Sequence, residues 1–354
     1  RITAVEAKAV GLHLNFAPVL DVNSNPENPV INTRSFGEDP EMVARLGVAF
    51  IEGSHEGGVL ATAKHFPGHG DTQTDSHVAL PVVPADLARL NSLELVPFRR
   101  AVDQGVDAVM TAHVVVAGVQ GLEGAPATFD ARIMTDLLRD DLGFDGLLFT
   151  DALVMGALSE RYGTGDVAVL ALEAGSDVLL MPTDVTEAID AVMTAVDQGR
   201  LEPSRIRTSA RRVLETKARA GLHIGRMVDL DAVDDVVGAA GHLAFADTVA
   251  TRSITLLRDR DAVLPVDARW TRTVLSLTYG RPDNLIAGST FDLALANRVE
   301  VASRARVGPE TPPEVYDSLK GLAGEADLVI VSVYVPPRSG TGEVSVSKDM
   351  ADFI

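Results

Sequence analysis

From its start to about Leu180 the chain alternates short apolar runs rich in β-formers with longer segments of helical periodicity. That alternation constrains the fold more than any other feature, because successive βα units build a parallel sheet. Strands are expected near Leu14–Leu20, Val59–His65, Ala108–His113, Gly146–Asp151 and Asp177–Met181, and helices near Pro40–Glu56, Leu93–Gln104, Asp130–Asp140 and Thr164–Ala174. The strand segments are apolar at nearly every position, as strands are when helices or a barrel interior cover both faces. Five strands cannot close an eight-stranded barrel. The expected fold class is therefore α/β, a (β/α) TIM-type barrel that is incomplete at its N-terminus, with an open sheet as the alternative.

Two helical stretches fill Val185 to Gly221, broken at Leu201–Ser204. The expected domains are 1–220 for the barrel, 221–240 for a connector, and 241–354 for a second, partial α/β domain. In that second part a helix is expected at His242–Arg252, strands at Ser253–Leu257, Arg272–Tyr279, Arg298–Val307 and Ala326–Val335, and a helical pattern from Ser347 onward.

The 354 residues carry 50 acidic and 31 basic side chains, a formal charge of −19, without a long block of one sign. A solvated acidic surface of this kind disfavours nucleic acid and anionic lipid as partners. Cysteine is absent, so disulfides and thiolate metal sites are excluded. No run of about 18 apolar residues occurs, and no membrane span is expected in this segment. The chain opens on Arg1 within a helical pattern, which reads as a mature or trimmed N-terminus and leaves room for a signal peptide or lipid anchor ahead of it. The compartment is left open, with the bacterial cell envelope or secretion slightly favoured over the cytoplasm.

Residues with chemical potential follow the C-terminal ends of the expected strands: Asp21, the segment Lys64–His77, His113 and Asp151. In a parallel barrel that end carries the active site. Lys64-His65-Phe66-Pro67-Gly68-His69-Gly70-Asp71 and Asp75-Ser76-His77 place three histidines and two aspartates in one Gly- and Pro-rich loop. Asp75 can orient one imidazole nitrogen of His77 and leave the other to exchange a proton, an acid/base arrangement. An Asx-turn beside an exposed histidine fits the spacing as well. Asp151 ends an apolar strand and reads either as a rigidly held carboxylate or as a helix N-cap. Lys64 and His65 leave one strand on opposite faces, so a break at Phe66-Pro67 is needed for both to point one way. Arg34 sits in a loop where its planar fork can clamp an oxygen-rich ligand, or pair with Glu38 or Asp39. His65, His69, Asp71, Asp75 and His77 also allow a metallohydrolase, although the spacing does not match a zinc-binding HExxH helix.

Taken together, these motifs resemble the β-N-acetylglucosaminidase branch of glycoside hydrolase family 3. The flanks agree: Asn15-Phe16-Ala17-Pro18-Val19-Leu20-Asp21-Val22, Thr33-Arg34-Ser35-Phe36-Gly37, Val109-Met110-Thr111-Ala112-His113 and Phe149-Thr150-Asp151-Ala152-Leu153. The resemblance covers Arg1 to about Arg219. It implies a (β/α) barrel followed by an α/β sandwich domain, and a retaining exo-hydrolase of terminal β-linked N-acetylglucosamine that needs no metal or cofactor. It further implies Asp151 as nucleophile, His77 as general acid/base with Asp75 as its dyad partner, and Arg34, Lys64 and His65 as ligands of the sugar hydroxyls. A β-glucosidase of the same family and an N-acetylglucosamine phosphorylase are the neighbouring activities. A carbohydrate-binding protein without turnover is the reading from outside catalysis. Peptidoglycan or muropeptide turnover is the implied role. A Val-Asp-Gln-Glu-Gly-Gly-like segment of this branch is missing from the sequence. The expectation is a chain truncated at both ends whose isolated piece is unstable or inactive.

Overall fold

The computed structural model describes residues 1–77, 79–267, 269–335 and 345–354, without the side chains of Val301 and Ala302. The described residues separate into two compact units, Arg1–Thr248 and the part from Val249 onward. In the first unit the strands are β1 (Leu14–Asn15), β2 (Leu60–Phe66), β3 (Val82–Val83), β4 (Ala108–Thr111), β5 (Val115–Val116), β6 (Leu147–Ala152) and β7 (Val178–Leu180). Five of them form one parallel sheet in the order β1-β2-β4-β6-β7. This is an α/β fold with a curled, half-barrel sheet whose neighbours follow chain order, as successive βα units require.

Burial explains the strand sequences. Val109 and Leu148 lie in one cluster with Ile51, Phe98, Ile133 and Leu137 from the surrounding helices. Their neighbours Ala108, Met110, Leu147 and Phe149 form a separate cluster with Leu14, Val178 and Leu180. Alternate residues of each strand thus serve opposite faces, and both faces are apolar. The helix Pro40–Glu56 starts where Asp39 accepts a hydrogen bond from Met42 N at 2.8 Å and Pro40 supplies a helical φ. Asp184 caps Val185–Asp197 in the same way.

Two expectations are corrected. The strand expected over Leu14–Leu20 pairs as strand only at Leu14–Asn15, with an isolated bridge from Val19 to Lys64. Pro18 has no N–H for a ladder, and the segment follows β2 by single bonds instead, such as Lys64 N to Pro18 O at 3.1 Å. Ser253–Leu257 is not a strand: Ser253 ends the helix Ala240–Ser253, and Ile254, Leu256 and Leu257 are exposed. An apolar run becomes a strand only where a sheet edge receives it. The helix expected over Leu93–Gln104 is present as Leu95–Asp103, preceded by a separate helix, Leu87–Ser92. The segment read as a connector holds the helix Leu230–Val236 and is tied back to Glu6, which accepts from Gly238 N at 3.0 Å and faces His242 Nδ1 at 2.7 Å.

The second unit holds β8 (Val274–Gly280), β9 (Val301–Val307) and β10 (Leu328–Tyr334) in a parallel sheet of order β10-β8-β9. Helices Ser289–Ala296, Pro313–Glu325 and Lys348–Phe353 accompany it. Its core gathers Leu277, Tyr279, Val307, Tyr316, Leu319 and Met350. Among the described residues no helix is long and apolar enough to cross a membrane.

Candidate active site

The site grows from the C-terminal ends of β2, β4 and β6, and two of these strands lose their regular register there. Pairing of β2 with β4 shifts between Lys64 and Phe66, and pairing of β6 with β7 shifts between Phe149 and Ala152. Such irregularities re-aim side chains that strict alternation would send to opposite faces. The break in β2 falls one or two residues before the expected Phe66-Pro67. Both Lys64 and His65 consequently act on the Asp151 carboxyl.

Asp21 is the hub. It is fully buried, accepts from His65 N at 3.2 Å and His69 N at 2.7 Å, and lies 2.7 Å from His65 Nδ1. Burial works to raise its carboxyl, but His65 and His69 outweigh it and hold Asp21 below the ordinary carboxylate value. Ser35 Oγ donates to Asp21 O at 2.6 Å, which brings in the turn Asn32–Arg34. From there the Arg34 guanidinium reaches Val30 O at 3.2 Å and lies 3.4 Å from His65 Nε2.

Asp151 stands near the end of β6, its Oδ1 accepting from Ala152 N at 2.7 Å. Burial pushes this carboxyl up; His65, His113, the Ala152 N–H and Lys64 together push it down and prevail, so Asp151 ionises below the usual range. Lys64 is lowered by burial and by Arg34, against the pull of Asp151 and Asp21. His113, buried after β4, donates from Nε2 to Ala152 O at 3.1 Å and faces Thr128 Oγ1 at 2.8 Å. Burial pushes its imidazole below the ordinary value, with Asp151 pulling the other way.

The loop after β2 carries the second group. Gly70 is obligatory there, since a Cβ would lie 1.8 Å from Val22 O. His69 pins the loop to itself, with Nδ1 at 2.7 Å from Thr72 Oγ1 and Nε2 at 3.0 Å from Ser76 Oγ. Ser76 O then accepts from Ala157 N at 3.2 Å, linking the loop to the segment beyond Asp151. Asp75 Oδ1 accepts from His77 N at 2.8 Å and lies 2.7 Å from His77 Nδ1. The carboxylate is buried, at 5% side-chain exposure, while the imidazole is 39% exposed. The charges of Asp151 and His77 act on the His113 imidazole in opposite directions, the first raising it and the second lowering it.

The structure therefore brings Asp151, Lys64, His65 and Arg34 around Asp21, and sets the Asp75 and His77 pair at the edge of that group. The residues read as alternative metal ligands are engaged elsewhere: His65 with Asp21, His69 with Thr72 and Ser76, Asp71 with Arg89, and His77 with Asp75. Among the described residues no group of three or more His, Cys, Asp or Glu side chains is placed to hold a metal ion. Asp21 and His113 follow expected strand ends and were visible on that ground, but the bonds of Asp21 to His65 and His69 and of His113 to Thr128 and Ala152 have no sequence signal.

Burial pushes the His69 imidazole down to about 4 from 6.5. The unfolded chain takes up a proton between those values that the fold refuses, so stability present above pH 6.5 is lost as pH falls toward 4 and levels off below it. The expected cost is up to about 3 kcal/mol, and His113 adds in the same direction. Urea unfolding at stepped pH reads this directly. His69→Gln should flatten the slope, and an unchanged slope would show that His69 titrates normally.

Residues 1–216 match the family described as Glycosyl hydrolase family 3 N terminal domain. Over 353 residues the chain is 31% identical to Beta-hexosaminidase A of Pseudoalteromonas piscicida, covering 94% of this chain and 57% of that protein. Over 269 residues it is 32% identical to the Beta-N-acetylglucosaminidase/beta-glucosidase of Cellulomonas fimi, covering 74% and 48%. The solved glycoside hydrolase family 3 β-N-acetylglucosaminidase of Paenibacillus sp. str. FPU-7 superposes with a TM-score of 0.83 at 38% identity, covering 94% of this chain and 64% of that one. The chain spans about half the length of the curated relatives it matches. Every site residue from Asp21 to Asp151 falls inside the matched region, and the chain belongs to glycosyl hydrolase family 3.

Proposed function

We propose that the protein is a retaining exo-β-N-acetylglucosaminidase that releases terminal β-linked N-acetylglucosamine, with peptidoglycan fragments as its physiological substrates. Asp151 attacks the anomeric carbon and forms a glycosyl-enzyme. His77 protonates the departing oxygen and then takes a proton from the incoming water, with Asp75 orienting its ring. Arg34, Lys64 and His65 bind sugar hydroxyls. On this reading the second unit is part of an α/β sandwich domain.

One observation carries the reading: a carboxyl at the end of β6, and a histidine oriented at 2.7 Å by a buried aspartate, stand on segments joined by the Ala157 N to Ser76 O hydrogen bond at 3.2 Å. Retaining hydrolysis needs these two functions on either side of the scissile bond. A low carboxyl pKa suits the nucleophile, which must be ionised when it attacks. An imidazole titrates in the range where one group can serve as acid and then as base. The names of the Pseudoalteromonas and Paenibacillus relatives support the amino-sugar substrate.

Incubation with a 2-fluoro glycoside bearing an activated leaving group should trap the intermediate. Mass spectrometry is expected to find the label on the peptide containing Asp151, and a label elsewhere would refute the nucleophile. Turnover of glucosides in preference to N-acetylglucosaminides would replace the substrate, and a sugar 1-phosphate product would replace hydrolysis by phosphorolysis.

A further inference from the structure

We propose that Arg89 is a positioning residue for the acid/base loop: one guanidinium grips Asp71 of that loop and the buried Glu94, and so sets where Asp75 presents His77. The inference rests on the roles given above to Asp75 and His77.

Arg89 Nη2 donates to Asp71 Oδ2 at 2.6 Å and lies 3.1 Å from Glu94 Oε1. Asp71 lies in the loop itself, six positions before His77. Glu94 lies just ahead of the helix Leu95–Asp103, on the framework, with a side chain only 2% exposed. Glu94 also packs against the loop's entry, because a Cβ on Gly68 would come within 2.8 Å of Glu94 Cβ. Arg89 has a fixed base, since it belongs to the helix Leu87–Ser92 and its N–H donates to the capping Asp86 Oδ1 at 2.8 Å.

The loop is thus held on two sides. Its inner side hangs on Asp21 through His69 N, and on Asn28, whose Nδ2 donates to His69 O at 2.8 Å. Its outer side reaches the helical layer through Asp71 and Arg89. An exposed ion pair alone would do little. Here one end is buried, and removal of the cation takes away the positive charge that Asp71 and Glu94 share. Burial raises the Glu94 carboxyl, Arg89 draws it back, and Asp71 pushes it further up. Without Arg89 the repulsion acts to drive Asp71, and the loop with it, away from Glu94. Small displacements of an acid/base group are costly because proton transfer needs hydrogen-bond contact.

The test compares variants of the full-length protein on substrates with good and poor leaving groups. Arg89→Met is expected to lower kcat/KM about tenfold for a disaccharide and less than about twofold for a dinitrophenyl glycoside, whose departure needs no proton. Arg89→Lys should recover most of the loss. Amide hydrogen exchange over residues 70–77 should accelerate in Arg89→Met. If that variant does not fold, Asp71→Asn removes one arm of the grip and should show the same leaving-group pattern more weakly. Equal losses on both substrates, or unchanged exchange, would overturn the positioning role. His77→Gly is the control: if it shows no leaving-group dependence, the acid role of His77 fails, whereas dependence in His77→Gly without dependence in Arg89→Met refutes Arg89 alone.

Discussion

Asp151→Asn is expected to lower kcat/KM for a terminal β-N-acetylglucosaminide on the order of 10⁴-fold, about 5 kcal/mol of barrier at 1.36 kcal/mol per tenfold. The change is nearly isosteric, and the amide oxygen can still accept the Ala152 N–H bond now made at 2.7 Å. The fold should therefore survive. What disappears is the anionic nucleophile and the charge that balances Lys64, His65 and His113. Removing the carboxylate entirely gives a sharper reading. Asp151→Gly leaves space beneath the anomeric carbon, and added azide should restore turnover by displacing the aglycone in one step. A single displacement inverts the anomeric centre, so the product should be the α-glycosyl azide. Near-normal rates in Asp151→Asn, or no azide product with Asp151→Gly, would remove Asp151 from the chemistry.

Much of this site was legible because strand ends are legible. The apolar runs ending at Thr111 and at Thr150-Asp151 are short and alternate with helical patterns, as buried parallel strands do, and the polar residues that end such strands emerge at one rim. The failures arise where apolar spacing alone leaves the backbone pairing open. Val19 reads as strand but meets only Lys64, because Pro18 interrupts the ladder. Ile254 and Leu257 read as strand and find no sheet edge. The segment Arg132–Asp141 reads as helix from Ile133, Met134, Leu137 and Leu138, yet it is wound as a π-helix. Apolar spacing of three to four residues does not distinguish the two.

The same holds within the site. That Asp75 and His77 can pair follows from their separation by two residues. That Asp21 binds His65 and His69, more than forty positions away, follows only from the sheet that sets β1 beside β2. Lys64 and His65 illustrate the limit best. Strict alternation forbids their convergence, and the register shift that permits it is a property of the β2 and β4 pair rather than of either sequence.

The acid/base assignment makes the most discriminating prediction, because loss of a proton donor is felt in proportion to the basicity of the leaving group. His77→Gly should reduce kcat/KM by about 10²–10⁴-fold for a disaccharide, whose alkoxide cannot leave unprotonated. A dinitrophenyl glycoside should still form the glycosyl-enzyme at close to the normal rate, after which the absence of a base stalls hydrolysis. The intermediate should accumulate, with a burst of dinitrophenol equal to the enzyme present. Azide needs no deprotonation, and it should release the stalled sugar. Two displacements at one carbon restore its configuration, so this product should be the β-glycosyl azide, opposite to that expected with Asp151→Gly. Asp75→Asn should lie between, since it keeps a hydrogen-bond partner 2.7 Å from His77 Nδ1 but gives up the charge that stabilises the imidazolium. Equal losses on both substrates for His77→Gly, or an α-azide from it, would assign the proton transfer to another residue.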